Sequence, residues 1–235
     1  MKKLITLGLV MALLLAAPVV VPSRSTTANA QSAGLVSSIL NRMERNRRDL
    51  RSLRAGITMQ KYNAQIKQYE RYDGEVQYVP GSGRNVSLRV DWTRPARETL
   101  AVENGQYTLL KPRQNVAYKG SANSGKGSNK VSSVLGFGLN ASGAQLRNNF
   151  IVEFVGEGIL YGNLHVTQLK LTPKGGAGYQ FAEVWVDDSG MPVQTRVVER
   201  NNDATTVRLT NVQKNARVDS SVFKLDIGGA KVVKG

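Results

Sequence analysis

From Ala55 almost to the C-terminus, apolar and polar residues alternate with period two, the pattern of strands that bury one face and expose the other. The pattern covers 56–62 (GITMQKY), 75–79 (EVQYV), 86–92 (VSLRVDW), 99–103 (TLAVE), 106–110 (QYTLL) and 115–119 (NVAYK). After an interruption it resumes over 150–156, 164–171, 181–187, 193–200, 205–213 and 221–225. The intervening PGSGRN, ENG, DDSGMP and RNND are the short Gly/Asn/Asp/Pro connections of antiparallel hairpins. Within 86–92, Val86, Leu88, Val90 and Trp92 share one face and Ser87, Arg89 and Asp91 the other. Pro95 then stops the ladder, with Arg94 beside the apolar row.

Residues 32–54 carry a helical period instead. Leu35, Ile39, Met43, Leu50 and Leu53 form a stripe, flanked by Val36 and Leu40, with Arg42, Arg45, Arg48 and Arg51 mostly off it. Core packing of the stripe is expected, rather than a basic helix lying on a membrane. One helix cannot cover a flat sheet of this size, so the sheet must close or half-close, with its apolar face inside. A barrel of this strand number is wider than its own side chains fill, which leaves an apolar cavity or a plug. The interruption supplies a candidate. Residues 120–130 read as a flexible linker, and 131–149 as a short, Gly-broken helical segment with Val131, Val134, Leu135 and Leu139 on one side. Gly136, Gly138 and Gly143 each cost roughly 1 kcal/mol of helix stability against Ala, so a mobile lid over 131–146 is expected, with an ordinary loop covering the barrel end as the other reading.

The chain has 235 residues and no cysteine, so disulfides and thiolate chemistry are excluded. Residues 1–30 read as a signal peptide: Lys2 and Lys3, an apolar run from Leu4 to Val21, and Ala28-Asn29-Ala30 before a cleavage site at Gln31. Residues 31–235 are then a single exported domain. The net charge is +15, and cleavage lowers it by three with Lys2, Lys3 and Arg24. Such a balance ordinarily suggests nucleic acid; export argues against that and towards anionic membrane surfaces or acidic proteins. Catalysis has no constellation to carry it. His165 is the only histidine, no G-x-S-x-G elbow is present, and Asp187-Asp188-Ser189-Gly190 lacks the later ligands of a calcium loop. No enzyme, cofactor or metal site is expected.

VDWTRPAR followed by LAVENGQYTLLKPRQNVAYKG, and LKLTPK followed by FAEVWVDDSGMPVQTRVVERNNDATTVRLTNVQKNARVDSSVFKL, resemble in order and spacing the periplasmic outer-membrane lipoprotein carriers, the LolA family. The similarity covers most of 35–225. It departs where the family has aromatic residues after Arg-Pro: here stand Ala96-Arg97-Glu98, and Trp92 precedes instead. The resemblance implies an incomplete, half-closed antiparallel β-barrel of about eleven strands with an N-terminal helix and a short helical lid. It also implies a periplasmic, monomeric carrier of acylated lipoproteins, receiving them from an inner-membrane release transporter and passing them to an outer-membrane acceptor lipoprotein. Arg94 would latch the lid. Val90, Trp92, Leu100, Val102, Val134, Leu135, Phe137 and Leu139 would line the lipid cavity. Two other readings remain: a related lipid or glycolipid carrier or envelope-stress sensor on the same fold, and a basic adaptor domain that binds no lipid.

Overall fold

The computed structural model describes residues 24–81, 86–122 and 139–234. A long helix, α1 (Arg24–Asp49), leads into β1 (Leu53–Asn63), β2 (Gln68–Val79), β3 (Ser87–Arg94), β4 (Glu98–Glu103), β5 (Gln106–Lys111) and β6 (Val116–Ser121). A short helix, α2 (Gly143–Asn149), precedes β7 (Phe150–Leu160), β8 (Leu164–Pro173), β9 (Tyr179–Asp187), β10 (Pro192–Glu199) and β11 (Ala204–Lys214), and β12 (Lys231–Lys234) ends the described chain. All twelve strands belong to one sheet, ordered β12-β6-β5-β4-β3-β2-β1-β11-β10-β9-β8-β7. The sheet is open, with β12 and β7 at its edges. Its neighbours are antiparallel, except that β12 runs parallel to β6.

The two runs of hairpins are joined by β1 and β11. Ile57 stands opposite Leu209 and Met59 opposite Val207, so the apolar rows of the two halves are continuous. The row in β1 is Leu53, Ala55, Ile57 and Met59, all buried. On the second half of the sheet, Ile39, Leu40 and Met43 of α1 and Leu146 of α2 pack against Leu169, Leu171, Ala182, Val184 and Val186. Core packing of the α1 stripe is therefore what the chain adopts. The stripe is rotated, however: Leu40 is fully buried whereas Leu35 is 47% exposed. No described helix is long and apolar enough to cross a membrane.

Three sequence expectations shift at their boundaries. The helix expected to reach residue 54 stops at Asp49, because Leu53 pairs with Tyr78 of β2 and Lys214 of β11. Asn215 seals that end: its Nδ2 donates to the Asp49 carbonyl (3.2 Å) and its Oδ1 accepts from the Arg51 N–H (2.7 Å). At its other end α1 begins at Arg24, seven residues before the expected cleavage point at Gln31. The strand expected over 221–225 is instead a 3-10 turn, Ser220–Phe223, capped by Asp219, whose side chain accepts from the Ser221 N–H. Phe223 is buried where this turn meets β3 and β4, and the Val222 carbonyl accepts from Arg89 Nη1 (2.9 Å). Arg89 and Asp91 lie on the face opposite Leu88 and Val90, so the C-terminal segment straps the polar face before closing the β6 edge as β12. Lys-Val-Val-Lys is too short to be recognised as a strand without that edge to pair with.

Glu44 ties α1 to α2. Its carboxylate accepts from Arg47 (2.7 and 3.0 Å), from Arg48 (3.0 Å) and from the Gly143 N–H (3.3 Å) at the start of α2. Ser142 and Gln145 complete a capping box on the same turn. The Arg47 hydrogen bond, reinforced by Arg48 and the Gly143 N–H, holds the Glu44 carboxyl at about 2. The β9–β10 hairpin locks α1 from the other side. Asp187 Oδ1 accepts from the N–H groups of Ser189 (2.9 Å) and Met191 (2.8 Å), and this turn brings Gly190, at φ 84°, against the Arg42 backbone.

Gly190→Ala should therefore lower unfolding stability by about 2–4 kcal/mol, since the left-handed backbone and the Arg42 carbonyl both oppose a Cβ. Gly176→Ala, with open space around it, should change it by less than about 0.5 kcal/mol. Urea titration of the two variants checks this. Because Glu44 has a depressed folded pKa, its stabilisation is fully present above the ordinary value of 4.5 and is lost as pH falls towards about 2. Glu44→Gln should flatten stability against pH across that window and cost about 1–2 kcal/mol at neutral pH.

Candidate functional site

Five cavity residues expected from sequence come together. Val90, Trp92, Leu100, Val102 and Leu139 are each 5% exposed or less and belong to one apolar cluster. The register explains the meeting: Val90 faces Leu100 and Leu88 faces Val102 across β3 and β4, and Leu100 faces Leu109 across β4 and β5. Trp92 lies over the Gly74 register position of β2, where the pairing carries a bulge. A side chain on Gly74 would run into the backbone of Asp91 and Trp92. Beside it Tyr72 meets the Trp92 ring edge-on, with centroids 5.8 Å apart. Val134, Leu135 and Phe137 lie outside the described residues, as does the first half of the expected lid, 131–138. Of 131–146, the part from Gly143 onward is the capped start of α2, with Leu146 buried against α1.

The cluster also contains residues that the sequence reading did not single out: Ile57, Met59, Tyr78, Tyr107 and Leu109. Each sits on the apolar parity of a strand that was recognised, so the signal was present; what was missing was the order in which the strands pair. Tyr78 is distinctive. It is 3% exposed, its hydroxyl has no hydrogen-bond partner among the described residues, and burial pushes that hydroxyl up to about 12. An unsatisfied buried hydroxyl costs about 1–3 kcal/mol.

Arg94 ends β3 at a cis Arg94–Pro95 peptide bond and its side chain is 76% exposed. Its Nε lies 3.4 Å from Asp73 Oδ2. Asp73 is shared with Arg71 (3.0 Å) and with the Thr58 hydroxyl (3.2 Å), and the Arg71 hydrogen bond is the main reason its carboxyl lies below the usual range. Next to it the apolar face ends in charge. Glu98 and Lys111 lie on the same parity as Leu100 and Leu109, Glu98 stands opposite Trp92, and Lys111 Nζ lies 3.1 Å from Glu98 Oε1. His165 of β8 is exposed.

This geometry defines a class: an open half-barrel sheet whose one strongly apolar face is buried, partly under a helix, and rimmed by ion pairs at the strand ends. Residues 141–226, from just before α2 through β11 to just past the 3-10 turn, match the family described as outer membrane lipoprotein carrier protein LolA. No curated protein matches the sequence. Among solved structures, an uncharacterized conserved protein from Thermus thermophilus is similar at 13% identity, over 86% of this chain and 99% of that one, with a TM-score of 0.53. A chain of the MucA/MucB complex of Pseudomonas aeruginosa is similar at 17% identity over 84% of this chain, with a TM-score of 0.50. The protein spans 63% of that chain's length. These similarities establish a shared fold.

Trp92→Ala should cost about 3–5 kcal/mol, because it empties the largest side chain of the face. Arg94→Gln should change stability by less than about 1 kcal/mol, as the Asp73 pair is solvent-exposed and Asp73 keeps Arg71. Thermal or urea unfolding distinguishes the two.

Proposed function

We propose that the protein is a non-catalytic exported carrier that holds the acyl chains of lipids or lipoproteins against the apolar face of its half-barrel. The observation that carries this reading is the continuous apolar face itself, which runs from β5 through β1 to β9 on a sheet that stays open. The family match over the second half of that sheet supports it. Burying methylenes is worth about 0.8 kcal/mol each, so one acyl chain of ~14 methylenes contributes on the order of 10 kcal/mol without any specific polar contact. In the finer form of the proposal, a signal peptide is removed before Gln31. The mature domain is a periplasmic monomer that moves lipoproteins from an inner-membrane transporter to an outer-membrane acceptor. Arg94 then restrains the segment preceding α2 when the face carries no cargo.

A second reading is an envelope sensor that docks a protein partner. The β7 edge favours it: Ile151, Val155 and Ile159 are more than half exposed, on a strand whose outer edge pairs with nothing described. The likeness to a chain of the MucA/MucB complex points the same way.

Organic extraction of the protein purified from a periplasmic fraction, followed by mass spectrometry, should release acyl lipids in near-stoichiometric amount. Extracts free of lipid, together with no uptake of a fluorescent fatty acid, would remove the carrier reading and leave the sensor. If Arg94 restrains the empty state, Arg94→Leu should bind the fluorescent acyl probe more tightly and release it more slowly. Unchanged binding and release would end that role for Arg94 alone.

A further inference from the structure

At the end of the apolar face, Trp92 stands opposite Glu98, which lines a basic pocket. The row that begins with Trp92 continues across the sheet as Glu98 and then Lys111, whose ion pair spans 3.1 Å. Two connections rise beside that pair. One is the β3–β4 turn after Pro95, which carries Ala96 and Arg97. The other is the 3-10 turn Pro112–Gln114, closed by Asn115 in the left-handed region with its N–H donating to the Pro112 carbonyl. Together Ala96, Arg97, Glu98, Lys111, Arg113 and Gln114 enclose a pocket of about 310 Å³.

The charges in this pocket do not balance. Lys111 answers Glu98, and that leaves Arg97 and Arg113, neither of which has an ion pair or hydrogen bond among the described residues. Arg97 and Arg113 both line the pocket and are exposed, so their guanidinium forks are free to turn to a ligand there; two such forks fit a tetrahedral oxyanion, which each can bind through two parallel N–H donors. Gln114 adds a neutral donor. Glu98 of this pocket stands opposite Trp92 of the apolar row, so an anion seated there and hydrocarbon on the Val90, Leu100 and Leu109 side would be the two ends of one amphiphile. Cells offer that chemistry as a phosphate carrying acyl chains. Ala96-Arg97-Glu98, the stretch in which this sequence departs from the family pattern it resembles, is one wall of the pocket.

We propose that the Arg97–Lys111–Arg113 pocket binds the phosphate group of an anionic amphiphile whose chains lie on the apolar face. The proposal rests on the carrier reading and adds headgroup selectivity to it. Capture by the apolar face alone is indifferent to the headgroup; two added charge-assisted contacts favour phosphate-bearing cargo over neutral cargo with the same chains.

The test measures binding of dihexanoyl phosphatidic acid and dihexanoyl glycerol by calorimetry at fixed ionic strength, with inorganic phosphate as a third ligand. Wild-type protein should bind the phosphatidic acid about tenfold or more tightly than the diacylglycerol. Arg97→Gln/Arg113→Gln should bring phosphatidic acid down to the diacylglycerol level and leave diacylglycerol binding unchanged. Arg200→Gln/Arg217→Gln, which removes two exposed arginines elsewhere, should keep the selectivity, and equal melting temperatures show that all three proteins are folded. Equal binding of the two lipids by wild type overturns the pocket while the carrier reading stands. Equal loss of selectivity in both double variants also overturns it, because net charge then suffices. If wild type binds inorganic phosphate but neither lipid, the pocket is a free-anion site, and both the amphiphile proposal and the carrier reading fail.

Discussion

A twelve-stranded sheet with one apolar face has to hide that face, and the described residues supply a single long helix to do it. Everything else in the architecture answers this shortage. The helix covers part of the second half, where Ile39, Leu40 and Met43 meet Leu169, Leu171 and Val184. The rest of the face turns its side chains towards one another across β1 to β5, with Tyr107 and Leu109 at one side and Val207 and Leu209 at the other. Hydrophobic burial is worth about 25 cal/mol per Å², and it is non-directional, so it favours concealment of the face without dictating what conceals it. An element that other apolar groups can replace is what a carrier requires.

Directional forces act where position matters. Glu44 fixes the two helices to each other through charge-assisted hydrogen bonds, and the Asp187 turn presses Gly190 against the α1 backbone. These contacts set where the cover sits. The two edges of the sheet are treated differently. The β6 edge is closed by the chain's own last strand after a strap across the polar face. The β7 edge is left with exposed Ile151, Val155 and Ile159. An edge that pairs with nothing described and carries apolar side chains is a template for another chain, and it lies apart from the apolar face on which the proposed carrier reading rests.

At the rim, polarity returns at the next position on the same face. Leu100 is buried, while Glu98, two positions earlier on the same face, carries a charge paired with Lys111. Beyond the pair lie Arg97, Arg113 and, on the neighbouring strand end, the Arg94–Asp73 pair. The charge excess noted in the composition is thus partly local, collected where an apolar ligand would have to end.

What the sequence determined by itself is the period-two alternation, the leading amphipathic helix and the hairpin turns, with Val90 and Trp92 on one apolar row and Leu100 and Val102 on another. All are local: alternation follows from strand geometry, and turn residues act over a few positions. Tertiary structure decided the rest. Leu53 and Arg54 left the helix because β2 and β11 were there to pair with them. Residues 220–223 became a 3-10 turn because Phe223 found β3 and β4. Lys231–Lys234 became a strand only because β6 had an open edge. Arg97 and Arg113, sixteen residues apart, share a pocket because Glu98 and Lys111 stand opposite each other across two antiparallel strands. Each of these depends on which partner lies alongside, and pairing between distant segments leaves no periodic trace in the segments themselves.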